Sequence, residues 1–255
     1  MHDALDFGGR VALVTGGTRN IGRAIADRLA TAGATVVVCG RSDPGDVGGL
    51  AFVACDVRDP EAVARLVDTI VERHGRLDIA VNNAGGAPPA DAATASPRFT
   101  EKIVALNLLA PLQVAQASNR VMQRQESGGV IVNIGSISGL RPSPGSAAYG
   151  AAKAGLLSLT RSLAMEWAPK VRVNMVTAGL VLTDDAHLHY GDAAGIERVH
   201  ATVPAGRMAD PAEVADAVLA MASPLCRFAS GANLVIDGGG ERPPFLAAAD
   251  GTVPG

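Results

Sequence analysis

The sequence predicts a doubly wound α/β fold with a parallel sheet, and three observations lead to that prediction. Short β-branched runs alternate along the chain with longer segments of helical periodicity. Runs such as Val130 to Ile134 are apolar on both faces, which is typical of parallel strands covered by helices on both sides. No linker, low-complexity tract or internal repeat divides the 255 residues, so we expect residues 1–255 to form a single domain.

Seven runs have the length and the β-branched content of buried strands. In chain order the predicted strands are Arg10 to Val14, Thr35 to Cys39, Ala51 to Cys55, Leu77 to Val81, Val130 to Ile134, Val171 to Val176 and Asn233 to Ile236.

Five longer segments have helical periodicity. Pro211 opens the last of them, in the first turn that proline favours, and Pro111 lies inside the longest, where a kink is expected. The predicted helices are Asn20 to Thr31, Glu61 to Arg73, Phe99 to Gln125, Ala148 to Trp167 and Pro211 to Met221.

Two segments break the alternation. Arg41 to Leu50 is rich in Gly, Pro and Asp where a second crossover helix would stand. Leu180 to Pro204 is long for a connection, which indicates a mobile lid or a pair of short helices. The C-terminal tail, about residues 241–255, is interpreted either as part of a subunit interface or as disordered.

Composition excludes several classes of protein. A net charge of -3 argues against nucleic-acid binding, which needs a basic patch. No apolar run is long enough to span a bilayer and no signal peptide opens the chain, so a cytoplasmic protein is expected. Cys39, Cys55 and Cys226 lack metal or redox spacing, and we expect buried, reduced thiols and no metal site.

The first strand runs into a glycine-rich turn, Thr15-Gly16-Gly17-Thr18-Arg19-Asn20-Ile21-Gly22, and then a helix. Small residues let the backbone approach a pyrophosphate, and the helix N-terminus supplies N–H donors. Many strand–helix turns contain glycine, so glycine content alone is weak evidence. Because this turn follows the first strand, it predicts a dinucleotide site.

The end of the second strand bears on the choice of dinucleotide. An acidic residue there binds the ribose 2′-hydroxyl of NAD, whereas arginine accommodates the 2′-phosphate of NADP. The strand ends Val38-Cys39-Gly40-Arg41 without a carboxylate, and Arg19 comes from the glycine-rich turn. Two guanidinium groups favour NADP(H). NAD(H) remains open, because both can be ordinary surface arginines.

Tyr149 and Lys153 are four residues apart on one predicted helix and therefore share a face. With two tyrosines and three lysines in 255 residues, a Tyr-x-x-x-Lys sequence arises by chance with a probability of ~0.02. A free tyrosine is a poor acid–base group near neutrality, and a nearby ammonium favours its phenolate. Lys153 can also bond the nicotinamide ribose. The alternative is an exposed lysine beside a half-buried tyrosine.

Ser136 follows the strand Val130 to Ile134, so its hydroxyl is placed to polarise a substrate carbonyl. Ser138 is a rival two residues further from the strand. Either serine can instead be a simple turn residue.

Taken together, these motifs resemble the short-chain dehydrogenase/reductase family, in the branch of single-domain chains of this length. The resemblance runs from about residue 7 to residue 240. It rests on motifs in family order and spacing, namely Thr15-Gly16 with Gly22, Asp56, Asn82-Asn83-Ala84-Gly85, Asn107, Ser136, Tyr149 and Lys153.

The resemblance implies a Rossmann fold and a hydride transfer between a carbonyl/alcohol pair and NADP(H). Tyr149 would be the general acid in reduction and the base in oxidation, with Lys153 lowering its pKa, Ser136 orienting the carbonyl and Asn107 holding a water that relays protons. Asp56 and Val57 would contact adenine, and Thr183 the nicotinamide amide. The cofactor contacts implied are Gly16, Thr18, Arg19, Asn20, Ile21, Gly22, Arg41, Asp56, Val57, Asn83, Ala84, Gly85, Tyr149, Lys153, Gly179, Val181 and Thr183.

Three positions depart from the family pattern. Asn20 replaces a glycine, but asparagine tolerates a left-handed backbone and its side chain can cap the helix. Ala178-Gly179 replaces Pro-Gly, which should loosen a turn. The short Arg41 to Leu50 segment leaves little or no helix after the second strand.

Alternatives remain open for activity, substrate and assembly. The activity alternatives are an NAD-dependent alcohol dehydrogenase of the same family and a catalytically silent dinucleotide-binding regulator. The substrate is a small molecule, either a 3-oxoacyl thioester, with Arg120, Arg124 and Lys170 as a docking face, or a steroid-like alcohol against Leu180, Leu182 and Leu188.

The resemblance implies a homotetramer or homodimer through the helices Phe99 to Gln125 and Ala148 to Trp167. The C-terminal strand and Arg242-Pro243-Pro244-Phe245-Leu246 would add a second interface.

Overall fold

The computed structural model describes residues 4–243 and 245, and their strands form one parallel sheet of seven in the order β3-β2-β1-β4-β5-β6-β7. The doubly wound prediction is confirmed. The strands are β1 Val11–Thr15, β2 Thr35–Gly40, β3 Ala51–Ala54, β4 Ile79–Asn82, β5 Gly129–Ser136, β6 Val171–Ala178 and β7 Asn233–Ile236.

Eight α-helices connect and flank these strands in the part of the chain that the structure describes. They are α1 Asn20–Thr31, α2 Pro60–His74, α3 Pro97–Val104, α4 Ala110–Met122, α5 Ala147–Glu166, α6 His187–Tyr190, α7 Ala193–His200 and α8 Pro211–Ala222.

The sheet is covered on both faces, which explains its apolar strands. On one face α1 and α8 pack against alternate strand residues such as Val14 and Val132. On the other, α2, α4 and α5 bury the intervening residues, including Leu13 and Ile131. The central strands β1, β4, β5 and β6 therefore bury both sets of side chains, as is typical of a parallel sheet covered on both faces.

The strand order reverses between β1 and β4, which lie side by side although they are not consecutive in the sequence. At such a switch point the connections after the two strands leave in opposite directions and open a crevice at the carboxyl edge of the sheet. The fold therefore places the loops after β1, β4, β5 and β6 around one site.

The single helix predicted over Phe99 to Gln125 is wrong in detail. The structure has α3, a π-helical turn at Ala105–Leu109, and then α4, in which Pro111 is the second residue. Proline has no N–H to donate, and the wider π turn absorbs that interruption.

The strand ends also differ from the prediction. β5 and β6 extend together to Ser136 and Ala178, which are paired in register. Ser136 is therefore the last residue of a strand rather than a loop residue. The extension is stabilised by pairing with the neighbouring strand, which the local sequence does not reveal.

The two irregular segments are as expected. No helix forms between residues 41 and 50, and the segment 180–204, called the lid below, contains the two short helices α6 and α7. Of the predicted tail interface, Pro244 and Leu246 lie outside the described residues, while Phe245 is exposed. Within the described residues no helix is both long and apolar enough to cross a membrane.

Candidate active site

A single cleft of about 810 Å³ opens at the carboxyl edge of the sheet. Its volume lies within the range typical of small-molecule and cofactor sites. All the residues that the resemblance assigned to cofactor contact line this cleft, from Gly16 in the glycine-rich turn to Thr183 in the lid. Residues far apart in the sequence are thus brought to one site by the strand order.

The glycine-rich turn is shaped for close approach by a ligand. Gly16 has a φ of 62° and Asn20 a φ of 50°, so the left-handed conformation expected of Asn20 is confirmed. A Cβ on Gly22 would lie 2.2 Å from the carbonyl oxygen of Gly16, so only glycine fits there. The turn is thereby packed tightly against the start of α1.

The N-terminus of α1 faces the cleft without a cap. Arg19, the N-cap residue, makes no side-chain capping bond, and the first turn contains no acidic residue. The prediction that Asn20 caps this helix is therefore wrong, since its amide bonds the lid instead. N–H donors left free at a helix N-terminus attract anions, so this end of the cleft fits a pyrophosphate.

Asn83 links the end of β4 to the glycine-rich turn through hydrogen bonds. Its side-chain Nδ2 donates to the carbonyl oxygens of Thr15 at 2.9 Å and Gly16 at 3.2 Å. In return, Thr15 Oγ1 accepts from the backbone N–H groups of Asn83 and Ala84, each at 3.0 Å. These bonds hold two walls of the cleft in register across the switch point.

Arginines border the end of the cleft formed by the loops after β2 and β3. The guanidinium of Arg58 forms a bidentate ion pair with the carboxylate of Asp56, with Nε–Oδ1 at 2.9 Å and Nη2–Oδ2 at 2.6 Å. This ion pair lowers the pKa of Asp56, with a smaller contribution from Arg41. Arg41 is exposed and has no ion-pair or hydrogen-bond partner among residues 4–243 and 245.

Arg58 was missed by the sequence reasoning, although its position two residues after Asp56 was a usable signal. Cys39 and Cys55 also line this part of the cleft, so the prediction of buried thiols is confirmed for these two, whereas Cys226 is only half-buried.

Asn107 lies behind the cleft wall, fully buried in the π-helical turn. Its Oδ1 accepts from the N–H of Gly86 at 2.9 Å, and its Nδ2 donates to the carbonyls of Gly86 and Ile103, each at 3.0 Å. The amide therefore fixes the turn that follows β4. Its assignment to a proton relay stays a prediction.

Tyr149, Ser136 and Lys153 meet at the end of the cleft opposite the arginines. Tyr149 and Ser136 line the cleft together, and the Lys153 ammonium nitrogen lies 5.7 Å from the centre of the Tyr149 ring. Lys153 Nζ donates to the carbonyl oxygen of Ile134 at 2.8 Å, which leaves two of its protons for other partners. The rival Ser138 does not line the cleft and lies in the following turn.

Burial dominates the electrostatics of this pair. It raises the pKa of Tyr149, against an opposing hydrogen bond with Ser136. It also lowers the pKa of Lys153 to about 8. The lowering of the Tyr149 pKa expected from Lys153 is not seen, because burial of the phenol raises that pKa and Lys153 does not contribute to the shift.

The lid contributes three cleft residues that the sequence reasoning did not select: Asp185, His189 and Tyr190. Both tyrosines of the chain therefore border the same cleft. A local signal existed, since polar residues are dense between Thr183 and Tyr190, but nothing in the sequence showed which of them face inward.

Comparisons with known proteins identify the family. The family model described as enoyl-(acyl carrier protein) reductase matches residues 16–241. The 3-oxoacyl-[acyl-carrier-protein] reductase MabA of Mycobacterium tuberculosis is 38% identical over 239 residues, which cover 91% of this chain and 93% of the relative. The chain belongs to the short-chain dehydrogenase/reductase family.

Other members of the short-chain dehydrogenase/reductase family are nearly as similar. The D-threitol dehydrogenase of Mycolicibacterium smegmatis is 36% identical over 242 residues, covering 91% of this chain and 92% of the relative. The aldohexose dehydrogenase of Thermoplasma acidophilum, in ligand-free form, has a TM-score of 0.88 and 30% identity, covering 98% of this chain and 99% of that one.

As a member of the short-chain dehydrogenase/reductase family, the chain is an oxidoreductase. The three relatives are named for different substrates, namely an oxoacyl thioester, a polyol and a sugar. Family membership therefore identifies the class of reaction and leaves the substrate open.

Proposed function

We propose that this protein is an NADP(H)-dependent oxidoreductase that interconverts a carbonyl and an alcohol, with Tyr149 as its acid–base group. The main support for the proposal is that one cleft contains both donors suited to phosphates and a candidate acid–base group. At one end an uncapped helix and arginines offer donors for phosphates, and at the other Tyr149, Ser136 and Lys153 line the cleft.

The proposed chemistry is a coupled hydride and proton transfer. When bound, the nicotinamide supplies the hydride in reduction and accepts it in oxidation. In reduction Tyr149 gives its phenolic proton to the oxygen that forms the alcohol, while Ser136 donates a hydrogen bond to the same oxygen. The raised pKa of Tyr149 keeps the phenol protonated but makes it a weaker acid, so proton donation requires that the phenolate formed is stabilised.

Lys153 has two proposed roles. The bond to Ile134 fixes its ammonium beneath the cleft, and its free protons are available to the nicotinamide ribose. In oxidation, its charge stabilises the phenolate that must form when Tyr149 accepts a proton from the alcohol.

The preference for NADP(H) over NAD(H) rests on charge. No carboxylate stands between Val38 and Arg41 to accept bonds from a ribose 2′-hydroxyl, and Arg19 and Arg41 both line the cleft. Arg41 also acts on the carboxylate of Asp56, and Arg58 already pairs with that carboxylate.

A 3-oxoacyl thioester is the first substrate candidate, on the strength of MabA and its name. Part of the predicted basic docking face is engaged within the protein. Arg120 pairs with Asp68 at 3.1 Å, and Lys170 Nζ donates to the carbonyl of Gln125 at 2.8 Å.

A polyol or sugar is the second candidate, because the lid presents His189 and Tyr190 to the cleft. The structure does not support the third candidate, a steroid-like alcohol packed against the leucines of the lid. Leu182 and Leu188 are exposed, and neither they nor Leu180 line the cleft.

A substrate panel tests the proposal. Initial rates would be measured with NADPH and NADH on acetoacetyl-CoA and a hydroxyketone, and with NADP⁺ and NAD⁺ on D-threitol and glucose. We expect turnover on at least one pair, with NADP(H) preferred. Tight NADPH binding without any turnover would favour the silent regulator, and better turnover with NAD(H) would favour the NAD-dependent alternative.

A further inference from the structure

We infer that Asp185 of the lid sets cofactor specificity by competing with the cofactor phosphate for Arg19. Asp185 latches the lid to the glycine-rich turn, and a phosphate bound to Arg19 must displace it. This inference rests on the proposed binding of NADP(H), because it assigns the 2′-phosphate to Arg19.

The latch consists of three polar contacts between segments about 165 residues apart. Asp185 Oδ2 accepts from Arg19 Nη1 at 3.1 Å and from Asn20 Nδ2 at 2.9 Å. The backbone N–H of Asp184 donates to Asn20 Oδ1 at 3.3 Å. One carboxylate oxygen thus takes two donors from the turn that faces the cleft.

The position of this carboxylate is that of an anionic ligand. Arg19, Asn20 and Asp185 all line the cleft, at the N-terminus of α1, where no side-chain cap is present. Free donors at a helix N-terminus select anions. The helix donors would bind the pyrophosphate, which both cofactors carry, so competition specific to NADP(H) falls on the Arg19 guanidinium that Asp185 holds.

The latch is weak enough to be displaced. The side chains of Arg19 and Asp185 remain 74% and 37% exposed, so water and salt screen their attraction. A phosphate dianion carries more charge than a carboxylate and offers three oxygens, so it competes well for a guanidinium.

Removing the charge of Asp185 should therefore tighten binding of the phosphorylated cofactor. An exposed ion pair stabilises by at most ~1 kcal/mol, which corresponds to about fivefold in affinity. We expect Asp185→Asn to lower the Kd for NADPH by about two- to fivefold, and the Kd for NADH by less than twofold. The gain should shrink at high salt.

The chain supplies a matched control. Asp184 is exposed, adjacent, and its side chain has no ion pair or hydrogen bond among the described residues. Asp184→Asn removes the same charge without touching Arg19, so both Kd values should stay within twofold of wild type.

The experiment measures NADPH and NADH binding by fluorescence for wild type, both Asn variants, Arg19→Ala and the Arg19→Ala/Asp185→Asn double variant. Competition predicts that Asp185→Asn tightens NADPH only where Arg19 is present. Equal tightening of both cofactors, no change, or the same gain in the Arg19→Ala background would each overturn the inference.

Failure of the proposed function gives a different result. A wild type that binds NADH as tightly as NADPH contradicts the NADP(H) assignment. The latch is then tested separately, by hydrogen exchange of residues 180–204 without ligand. There Asp185→Asn should exchange faster than Asp184→Asn if the latch exists. Equal rates for the two variants would remove the latch as well.

Discussion

At the scale of single residues, the candidate site depends on a lysine ammonium that is almost fully buried in the wall of the cleft. Lys153 is buried, and its one fixed partner is the carbonyl oxygen of Ile134. Loss of hydration disfavours the charged form and lowers its pKa from 10.5 to about 8. Its charge, and with it the support for a Tyr149 phenolate, is therefore present below pH 8 and lost above it.

This pKa can be measured directly. The chain has three lysines, so ¹³Cε-lysine labelling gives three signals, and Lys153→Arg assigns the one of interest. We expect that signal to titrate with a midpoint near pH 8. A midpoint near the ordinary value of 10.5 would show that burial does not perturb this ammonium.

Arg41 provides the residue-scale test of cofactor choice. A charge-assisted contact contributes about 1.5–3 kcal/mol, so Arg41→Ala should weaken NADP(H) roughly ten- to a hundredfold and leave NAD(H) almost unchanged. The comparison is kcat/KM for both cofactors in wild type and variant. Arg227→Ala, an exposed arginine outside the cleft, is the matched control. Equal losses for both cofactors would contradict the assignment.

Tyr149, Lys153 and the glycine-rich turn could be found from the sequence alone. Their residues are close in sequence, so one helix or one turn fixes their relative positions. The sequence reasoning missed Arg58 and Asp185, and it expected the amide of Asn20 to cap a helix. The amide instead bonds a lid that is distant in sequence. Contacts between distant segments depend on the strand order, which local patterns do not contain.

At the scale of elements, the first helix of the lid, α6, is loosely packed. Val181 bridges to Ala209, and α6 buries none of its side chains. The existence of the lid and its two short helices followed from its length. Its closure onto Arg19 and Asn20 did not, because no local pattern indicates an ion pair.

We predict that the lid becomes protected when ligands bind. Hydrogen exchange of residues 180–204 should slow with NADPH and substrate together, relative to the ligand-free protein, because bound ligand adds contacts to an otherwise sparsely packed segment. The peptide covering β5 serves as the internal reference. Equal protection of the lid in both states would count against a lid function.

The glycine-rich turn allows a second prediction at this scale. A Cβ at Gly22 would lie 2.2 Å from the Gly16 carbonyl oxygen and 2.3 Å from Asn83 Nδ2, so Gly22→Ala must open the turn. We expect a loss of about 1–3 kcal/mol of stability, typical of overpacking, and weaker binding of both cofactors. Gly155→Ala, inside α5, controls for the general effect of alanine at a helical glycine, because a Cβ there would meet only the Leu108 side chain, at 3.3 Å or more. Unchanged stability in Gly22→Ala relative to Gly155→Ala would show that the turn opens at little cost.

At the scale of the whole molecule, the sheet ends in an edge strand with apolar residues at the surface. Leu234 and Val235 of β7 are partly exposed, and Phe228 and Leu225 nearby are more so. Contiguous apolar surface beside an open strand edge is typical of an interface. We propose a homotetramer or homodimer in which this face, and the face formed by α3, α4 and α5, are covered by other copies.

Light scattering coupled to size exclusion tests the assembly. Wild type should have a mass at least twice that of the 25.8 kDa chain, and Val235→Lys should lower it by disrupting the β7 interface. Leu188→Lys places the same charge on an exposed leucine of the lid and should leave the mass unchanged. A monomeric wild type would contradict the proposed assembly.

The central claim, that Tyr149 transfers the proton in an NADP(H)-dependent reaction, is tested most directly by Tyr149→Phe. The variant keeps the ring and removes the proton. On the best carbonyl of the panel, we expect kcat to fall by about 10²–10⁴-fold, the usual contribution of general acid–base catalysis, with the Kd for NADPH within about threefold of wild type. Turnover above about a tenth of wild type would contradict the account.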